Sequence, residues 1–422
     1  MLDIRLIRDQ PALVKTRLAT RGSGMDEAVD AVLATDSKRR ALETRLQSLQ
    51  AERNRLSKEI GALRSKGCDT TSIEAGVRSH AAEMQALCEQ GALLEQEQRD
   101  LLLNLPNLPQ KGVPAGSDSS QNPVVRTWGE RPGLERTEDH VSIARRLDLI
   151  DFERATKISG SGFACFKGKG ARLERALINF LLDHHTKVHG YTEVSPPSLI
   201  RPEALVGTSQ LPKFEEQSYC VERDSLYLAP TAEVPVTNLH REEVLPFLSL
   251  PLRYAAYTPC FRREAGAAGV GTRGLIRMHQ FDKVELVKIC TPEHSPAELE
   301  TLTGDAESVL QMLGLHYRVI ELCAGDLGFG AAKTYDIEVW SPGQSAFLEV
   351  SSCTNFEDFQ ARRMNLRFKG PDGKNRFCHT LNGSGTALAR LYVALLETGL
   401  QDDGTVTLPG PLQTYFGDRT ID

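Results

Sequence analysis

The chain has 422 residues, of which 40% are hydrophobic and 25% are charged, and its formal net charge at pH 7 is -6. This composition is typical of a globular protein with two or three domains, and it argues against a uniformly basic nucleic-acid binder. The N-terminus is charged and no run reaches the ~18 apolar residues of a membrane span, so we expect a cytoplasmic protein without a membrane anchor. The nine cysteines form no CxxC pair, which indicates reduced thiols rather than a disulfide framework or a zinc site.

Residues suited to a helix seam recur every seven positions on both sides of a break at 66–69. The two series are Leu42, Leu49, Leu56 and Leu63, then Ile73, His80, Leu87, Leu94 and Leu101. Seven-residue spacing is typical of a coiled coil. We therefore predict an antiparallel helical hairpin whose helices, at ~35 residues each, project roughly 50 Å.

The charges of this hairpin separate between its two helices. Residues 36–66 carry nine Lys or Arg against four Asp or Glu, whereas residues 67–100 carry two against seven. The charges could simply solvate the hairpin and pair across it. Alternatively, the basic helix could contact a phosphate backbone, which requires Lys and Arg but no base-reading motif.

Prolines at Pro106 and Pro109 end the hairpin, and a Gly, Ser and Pro-rich run follows through Gly133. We predict an N-terminal helical domain at 1–103, a linker at 104–137 and a second domain at 138–422.

The second domain mixes helices and strands without regular βαβ alternation, which favours an α+β fold with an antiparallel sheet flanked by helices. We predict helices at 171–189 and 386–397. The expected strands are 226–228, 283–287, 335–340 and 346–350.

The stretch PCFRREAGAAGVGTRGLIRMHQF, residues 259–281, combines arginines with a glycine-rich centre. Arginine offers forked donors to phosphate and glycine permits close backbone approach. Neither a Walker loop nor a dinucleotide fingerprint is present. Taken alone, the stretch fits a mobile basic hairpin as well as a phosphate site.

Other polar residues stand at strand edges and helix starts, and each has a structural alternative. Thr231 could cap a helix, Glu285 could be a surface charge on an edge strand, Glu349 could be an ion-pair partner and Arg390 could lie on an exposed helix face. Together they supply what a nucleotide and an amino acid require: arginines for phosphates and carboxylates for Mg²⁺ and an ammonium group.

These motifs resemble those of the bacterial-type seryl-tRNA synthetases, which are class II aminoacyl-tRNA synthetases. Residues 171–197, 254–285 and 380–390 look like class II motifs 1, 2 and 3, in that order. The stretches GTSQLPKF, LAPTAEVPVTN, AKTYDIEVW and EVSSCTNFEDFQARR are similar to the seryl branch. The resemblance runs from the first residues to about Glu397.

The resemblance implies a ligase that activates L-serine with ATP and Mg²⁺ and transfers it to the 3' end of tRNA(Ser). The residues assigned to ATP are Arg262, Arg263, Glu264, Met278, Phe281, Glu349, Val350, Ser351, Ser352 and Arg390. Those assigned to serine are Thr231, Ala232, Glu233, Glu285 and Ser384. Glu349 and Ser352 are assigned to Mg²⁺, and Arg262, Glu349 and Arg390 are assigned to catalysis.

In more detail, Arg262 would contact the α-phosphate and Arg390 the terminal phosphate of a bent ATP. Glu264 would meet the adenine edge, Met278 would line the pocket and Phe281 would stack on the base. The resemblance further implies a homodimer formed through motif 1, a hairpin that binds the long variable arm of tRNA(Ser), and serylation of tRNA(Sec).

Two positions depart from the family pattern. Val270 and Gly271 stand where a basic-acidic pair is usual, which bears on contacts with the tRNA acceptor end. Gly162 stands where Arg is common. Two rivals to this hypothesis are a related enzyme that loads another carrier, although such relatives lack the hairpin, and a non-catalytic coiled-coil protein on a degenerate synthetase body.

Overall fold

The computed structural model describes residues 1–132, 138–265 and 274–422. These residues divide into two compact units, Leu2–Pro106 and Asn107–Asp422, with Met1 grouped with the second unit. Within the described ranges, no helix is both long and apolar enough to cross a bilayer.

The first unit is entirely helical. Its helices are α1 (Ile4–Asp9), α2 (Pro11–Ala19), α3 (Met25–Arg64) and α4 (Thr71–Leu103). Helices α3 and α4 pack along each other, and Gly67, with a φ of 73°, lies in the turn between them. At 40 residues, α3 is roughly 60 Å long. It is longer than the heptads predict because it continues N-terminally past them to Met25.

The base of this hairpin is held by a buried polar cluster around Asp36. Its carboxylate accepts hydrogen bonds from Arg8 Nε at 2.8 Å and from Gln98 Nε2 at 3.1 Å. Burial acts to raise the pKa of Asp36, but these hydrogen bonds outweigh it and hold that pKa below its usual value. Thr35 donates to Glu97 at 2.9 Å beside it, so the base is tied together across both long helices.

The second unit combines short helices with one large sheet. Its helices are α5 (His140–Arg146), α6 (Phe152–Ser159), α7 (Lys169–Lys187), α8 (Pro202–Gly207), α9 (Glu233–Thr237), α10 (Ser295–Met312), α11 (Phe359–Met364), α12 (Leu388–Gly399) and α13 (Gly410–Phe416). Its strands are β1 (Val124–Trp128), β2 (Thr192–Glu193), β3 (Leu199–Ile200), β4 (Cys220–Val221), β5 (Leu226–Leu228), β6 (Val244–Pro246), β7 (Leu252–Phe261), β8 (Gln280–Cys290), β9 (Tyr317–Glu321), β10 (Lys333–Ser341), β11 (Ala346–Asn355), β12 (Arg367–Lys369), β13 (Asn375–Phe377), β14 (His379–Ala387), β15 (Val406–Thr407) and β16 (Thr420–Ile421).

The main sheet has the order β1-β9-β10-β11-β14-β8-β7-β2. Neighbouring strands run antiparallel except for the edge pair of β2 and β7, which is parallel. The α+β class with an antiparallel sheet and an N-terminal helical hairpin is therefore confirmed.

The two faces of the sheet differ in chemistry. Because side chains alternate along a strand, Phe281, Lys283 and Glu285 of β8 share one face, and Val284 and Leu286 face the other way. The apolar face is covered by α7, α10 and α12, whose residues join it in the main core. The other face carries polar side chains at the centre of the sheet.

Strand β8 is much longer than the predicted segment 283–287, and β7 was not predicted. The two form a continuous antiparallel ribbon from Leu252 paired with Ile289 to Phe261 paired with Gln280. Helix α12 begins at Leu388 rather than at the predicted 386. Thr386 remains in β14, where it pairs with Val284.

Candidate active site

A cavity of about 490 Å³ lies over the polar face of the sheet. It collects residues from β8, β11, β14, α9, α12 and the segments that flank residues 266–273. Twelve of the residues predicted from sequence line it: Thr231, Glu233, Arg262, Glu264, Met278, Phe281, Glu285, Glu349, Val350, Ser352, Ser384 and Arg390. Residues spread over about 160 positions of sequence thus meet in one place, and the three adjacent strands β8, β14 and β11 carry six of the twelve.

One end of the cavity holds a cation beside an aromatic ring. The guanidinium carbon of Arg262 lies 5.2 Å from the ring centroid of Phe281, and Arg262 Nε donates to the carbonyl of Pro230 at 3.3 Å. Among residues 1–132, 138–265 and 274–422, the other guanidinium nitrogens of Arg262 make no hydrogen bond or ion pair, so they can meet a ligand beside the ring. An arginine with an adjacent aromatic ring suits a phosphate attached to a planar base.

Glu264 and Met278 lie at the same end. The Glu264 carboxylate pairs with Arg277 Nε at 2.9 Å, and its backbone adopts a left-handed φ of 49°. Met278 is buried and supplies an apolar wall. The ion pair fixes the carboxylate where it can accept from an amino group at the edge of a base.

Arg390 lies in the first turn of α12 and reaches across the cavity mouth. Its Nη1 donates to the carbonyl of Glu349 at 2.6 Å and its Nε donates to the carbonyl of Ile276 at 3.4 Å. The carboxylate of Glu349 lies 3.7 Å from the same Nη1 and is half exposed. The alternatives raised from sequence were an ion pair for Glu349 and an exposed helix position for Arg390. Both describe the contact between these two side chains, and both charges still line the cavity.

The opposite end holds two buried carboxylates. Asn382 Nδ2 donates to Glu233 Oε2 and to Glu285 Oε1, both at 3.0 Å. Gln360 donates to the other oxygen of Glu233 at 2.7 Å, and Thr231 Oγ1 donates to Glu285 Oε2 at 3.0 Å. The amide of Asn382 therefore bridges two acids that would otherwise repel each other.

Burial dominates the electrostatics of this pair. Removal from water, followed by the charge of Glu285, raises the pKa of Glu233 to about 7. Lys283 forms a buried ion pair with Glu285. When Glu233 is ionised, two carboxylates and one lysine leave a net negative charge in a polar pocket, which is the environment that an ammonium group would neutralise.

Glu285 is not an edge-strand surface residue. It lies on β8 between β7 and β14, opposite Ala256 and Ser384, and is 1% exposed. The N-cap residue of α9 is Ala232 rather than Thr231, although Thr231 Oγ1 accepts from the backbone N–H of Glu233, the first residue of that helix, at 3.2 Å. The same hydroxyl donates to Glu285, so it joins α9 to the sheet.

Glu349 and Ser352 stand together on β11 at the cavity wall. Opposite Ser352 on β10 is Asp336, whose Oδ1 is buried and accepts no hydrogen bond from the described residues. Burial, followed by the charge of Glu349, raises the pKa of Asp336 well above its ordinary value. The described residues contain no cluster of three or more His, Cys, Asp or Glu side chains suited to a metal. One exposed carboxylate and one hydroxyl fit Mg²⁺ that takes its other ligands from phosphates and water.

Three predicted residues do not line the cavity. Arg263 is exposed and its backbone N–H donates to Gln217. Ser351 is buried behind β14, where its Oγ donates to the Ser384 carbonyl at 2.6 Å, and Ala232 packs in a small apolar cluster. Their predicted ligand contacts stay predictions.

Sequence reasoning missed several polar residues that share the site, namely Lys283, Asn382, Thr334 and Thr354. The signal that could have found two of them is the two-residue spacing of side chains on one face of a strand. Lys283 lies two residues before Glu285, and Asn382 lies two before Ser384, so both follow from a count along β8 and β14. Thr354 then follows from its pairing with Asn382, which sequence alone does not supply.

The departure at Gly162 has a direct structural reason. A Cβ at this position would lie 2.4 Å from Cδ2 of His279, and the φ of Gly162 is 81°. The ring of His279 stacks on that of Phe163, with 5.4 Å between ring centroids, and occupies the space that a side chain at position 162 would need. The other departure, Val270 and Gly271, lies outside the described residues.

Comparison with known proteins gives matches over both units. The family of the seryl-tRNA synthetase N-terminal domain matches residues 1–109, and that of the tRNA synthetase class II core domain (G, H, P, S and T) matches residues 215–399. A serine-tRNA ligase of Akkermansia muciniphila is 57% identical over 424 residues, covering 100% of this chain and 99% of the relative.

Solved structures agree along the full length. The crystal structure of seryl-tRNA synthetase from Pyrococcus horikoshii, complexed with ATP, matches with a TM-score of 0.95 at 39% identity and covers 100% of this chain and 99% of the other. A cytoplasmic serine-tRNA ligase from Naegleria fowleri, in complex with AMP, matches with a TM-score of 0.90 at 27% identity and the same coverage. With both family matches and full-length relatives in agreement, the chain belongs to the seryl-tRNA synthetases, a family of class II aminoacyl-tRNA ligases.

Proposed function

We propose that this chain joins L-serine to ATP to form seryl-adenylate, and then transfers the seryl group to the 3' end of tRNA(Ser). The observation that carries the proposal is the division of one cavity into two ends. Arg262, Phe281 and Arg390 supply cations and a ring at one end, and Glu233 and Glu285 supply carboxylates at the other. The cations and the ring suit a nucleoside triphosphate, and the carboxylates suit the ammonium group of an amino acid.

In the first step, a carboxylate oxygen of serine attacks the α-phosphorus of ATP. A new P–O bond forms, the bond to the β-phosphate oxygen breaks and pyrophosphate leaves with the electron pair. Both reactants are anions, so Arg262 at the α-phosphate offsets their repulsion and stabilises the charge that develops. Holding the two reactants in line supplies much of the remaining rate, and no protein nucleophile is needed.

The rest of the nucleotide is assigned to residues around Arg262. Phe281 stacks on the adenine, Met278 lines its pocket and Glu264 accepts from its edge. Arg390 receives the terminal phosphate. Its guanidinium is already fixed by the carbonyls of Ile276 and Glu349, so little side-chain entropy is lost when ATP binds.

Mg²⁺ fits beside Glu349 and Ser352. When bound there, Mg²⁺ would supply positive charge that neutralises phosphate oxygens. The chain itself contributes the exposed Glu349 carboxylate and the Ser352 hydroxyl on one strand, and Asp336 lies opposite Ser352 on β10.

Serine is placed with its ammonium group at the two carboxylates and its hydroxyl among the polar side chains beside them. Oδ1 of Asn382 is buried and accepts no hydrogen bond from the described residues. A pocket that lines a hydroxyl group with buried donors and acceptors rejects alanine, because the analogue leaves those groups unpaired.

In the second step, a hydroxyl of the terminal adenosine of tRNA attacks the carbonyl carbon of seryl-adenylate, and AMP leaves. The hairpin is the proposed tRNA contact. Five of its nine basic side chains in 36–66 make no ion pair among the described residues, namely Lys38, Arg40, Arg53, Lys58 and Lys66. Such side chains are available to RNA phosphates.

We further propose that the chain is a homodimer through the motif 1 segment and that it also serylates tRNA(Sec). The exposed apolar side chains of Val188, directly after α7, and Ile158, at the end of α6, support the dimer. Sedimentation equilibrium tests the dimer, and charging of purified tRNA(Sec) transcript tests the second substrate.

The deciding experiment for the main reaction is ATP-pyrophosphate exchange with each of the amino acids, followed by charging of unfractionated tRNA. Exchange that depends on serine, together with serine-specific charging, supports the proposal. Exchange without tRNA charging would instead indicate an enzyme that loads another carrier. Absence of both activities in the folded protein would indicate a non-catalytic role.

A further inference from the structure

A buried histidine outside the motifs connects helix α12 to the wall of the nucleotide end. His140, the first residue of α5, is 1% exposed. Its Nε2 lies 3.2 Å from the backbone nitrogen of Leu275. Its Nδ1 lies 3.1 Å from Oε1 of Glu397, near the end of α12.

The hydrogen bonds fix the tautomer of this ring. A backbone N–H can only donate, so Nε2 of His140 must accept from Leu275. The proton therefore resides on Nδ1, which donates to Glu397. Through these two hydrogen bonds, the ring connects the buried carboxylate of Glu397 to the backbone N–H of Leu275.

Glu397 itself is rigidly held. Its Oε1 also accepts from the backbone N–H of His140 at 3.0 Å, and its Oε2 accepts from the backbone N–H of Gly343 at 3.0 Å and from the hydroxyl of Ser341. Four donors on a fully buried carboxylate fix its position. The histidine attached to it is fixed as a consequence.

The segment after Leu275 is the one that forms the nucleotide wall. Leu275, Ile276, Arg277 and Met278 all line the cavity. The next carbonyl along, that of Ile276, accepts from Arg390 Nε at 3.4 Å. Helix α12 thus holds two consecutive residues of this segment, one through Arg390 and one through Glu397 and His140.

We propose that His140 is a positioning residue for ATP: it holds Leu275 so that Ile276 orients Arg390 and Met278 closes the adenine pocket. The inference rests on the proposed function. In this role, the effect of His140 on ATP binding comes from its hydrogen bond with Leu275. A general structural role would instead depend on its hydrogen bond to the buried Glu397 carboxylate.

Two substitutions of His140 separate these roles. In His140→Gln the side-chain oxygen reaches the former Nε2 position and still accepts from Leu275. In His140→Asn the amide occupies the former Nδ1 position, so it still donates to Glu397 but leaves the buried Leu275 N–H without an acceptor.

In serine-dependent exchange, we expect His140→Asn to raise the KM for ATP by roughly 10-fold, since loss of one buried acceptor displaces the wall. The KM for serine stays within about 2-fold, and His140→Gln stays within about 3-fold on both constants, because the distant serine end is untouched. Equal losses in the two variants, or a normal KM for ATP in His140→Asn, would overturn the proposal.

Gly274 provides a test from the other side of the contact, and it decides the matter if the histidine variants do not fold. A Cβ at Gly274 would lie 2.3 Å from Nε2 of His140, and its φ is 69°. Gly373 is the matched control, since its φ is 76° and a Cβ there meets nothing within 4 Å. We expect Gly274→Ala to raise the KM for ATP while Gly373→Ala does not, and equal constants in the two folded variants would refute the role of His140.

The parent enzyme separates this inference from the proposed function. Serine-dependent exchange in the unsubstituted chain is measured first. If that exchange is absent, the proposed function fails; if it is present and only the variants behave otherwise, the inference about His140 fails alone.

Discussion

The hairpin and the cavity use the same residue types under opposite conditions. On the hairpin, Arg45 and Glu83 form an ion pair at 2.7 Å with 55% and 40% of their side chains exposed. In the cavity, the ion pair of Lys283 and Glu285 is almost fully buried, at 8% and 0% exposed. An ionised side chain on the hairpin costs little free energy because water solvates it. An ionised carboxylate in the cavity has lost that water and is stabilised only by the donors around it.

The difference separates two kinds of recognition. Exposed Lys and Arg side chains adapt to a phosphate backbone and lose strength with salt. Buried carboxylates cannot adapt and accept only a ligand that supplies the missing charge and donors. The following predictions test this contrast, from the largest expected effect to the smallest.

Removal of the hairpin should abolish one activity and spare the other. A Cβ added at Gly91 would lie 3.4 Å from Cδ2 of Leu42, so the two helices are adjacent there and residues 43–90 can be replaced by about four glycines without disturbing the Asp36 cluster. We expect tRNA charging to fall roughly 10³-fold, because the phosphate contacts are lost. Exchange without tRNA should stay within about 3-fold, since the deleted residues hold no part of the cavity. Loss of exchange in a folded variant would contradict the division.

Arg262→Ala should disable the cavity itself. The rate of serine-dependent exchange should fall by roughly 10²- to 10³-fold, the effect of removing a donor aimed at developing charge. Arg376→Ala is the control, since Arg376 pairs with Asp372 on the surface. A variant of Arg262 that retains exchange within a few-fold would remove the central cation from the proposal.

The free energy of unfolding should respond differently to loss of the buried ion pair of Lys283 and Glu285 and loss of the exposed pair of Arg45 and Glu83. Lys283→Met leaves Glu285 buried without its cation and should lower the free energy of unfolding by roughly 3 kcal/mol. Arg45→Met should change it by less than about 1 kcal/mol. Urea denaturation of both variants measures this, and equal losses would show that burial does not separate the two regions.

The raised pKa of Glu233 predicts a pH dependence of serine binding. Its pKa of about 7 lies above the ordinary 4.5, so the acid is protonated in the folded protein below pH 7 and cannot hold an ammonium group as an anion. The KM for serine should therefore fall by roughly 10-fold between pH 6 and pH 8, following the ionised fraction. The KM for ATP serves as the internal control, and a flat serine profile would be evidence against this carboxylate.

The same shift has a stability counterpart with a definite sign. The folded state binds the Glu233 proton more tightly than the unfolded state, so its stabilising contribution is complete below pH 4.5 and is lost as the pH rises through about 7. Glu233→Gln should remove this loss. Denaturation of the two proteins at pH 5 and pH 8 measures it, and the variant should gain relative stability at the higher pH.

The smallest effect is expected from one hairpin charge. Lys58→Glu should weaken tRNA charging only about 3-fold at moderate salt and reduce its salt dependence, because one phosphate contact is lost among several. Glu59→Lys on the next position provides a control of opposite sign. An effect of Lys58→Glu that is independent of salt would argue against a backbone contact.

Much of the fold and of the site was accessible from sequence, for identifiable reasons. Seven-residue spacing located both long helices, since it reports a single continuous seam. The residues assigned to ATP and serine came from the motif resemblance and stay predictions, while Arg262, Glu285 and Arg390 do line one cavity. Strands β11 and β14 are neighbours in the sheet although residues 356–378 separate them in the chain, so the pairing of Asn382 with Thr354 had no local signal. The His140 contact was missed for the same reason, because it joins residues 135 positions apart through one backbone N–H.

The alternation along β8 and β14 also governs how this site can be inherited. Because Phe281, Lys283 and Glu285 reach the cavity at a spacing of two, removal of one residue between them would turn the aromatic ring and the carboxylate to opposite faces. The polar face of the sheet therefore tolerates gradual change by replacement of side chains, but not by a change in strand length. Gains and losses of residues in the lineage should accumulate instead in the surface turns, such as that at 370–374, while β8 and β14 keep a fixed length.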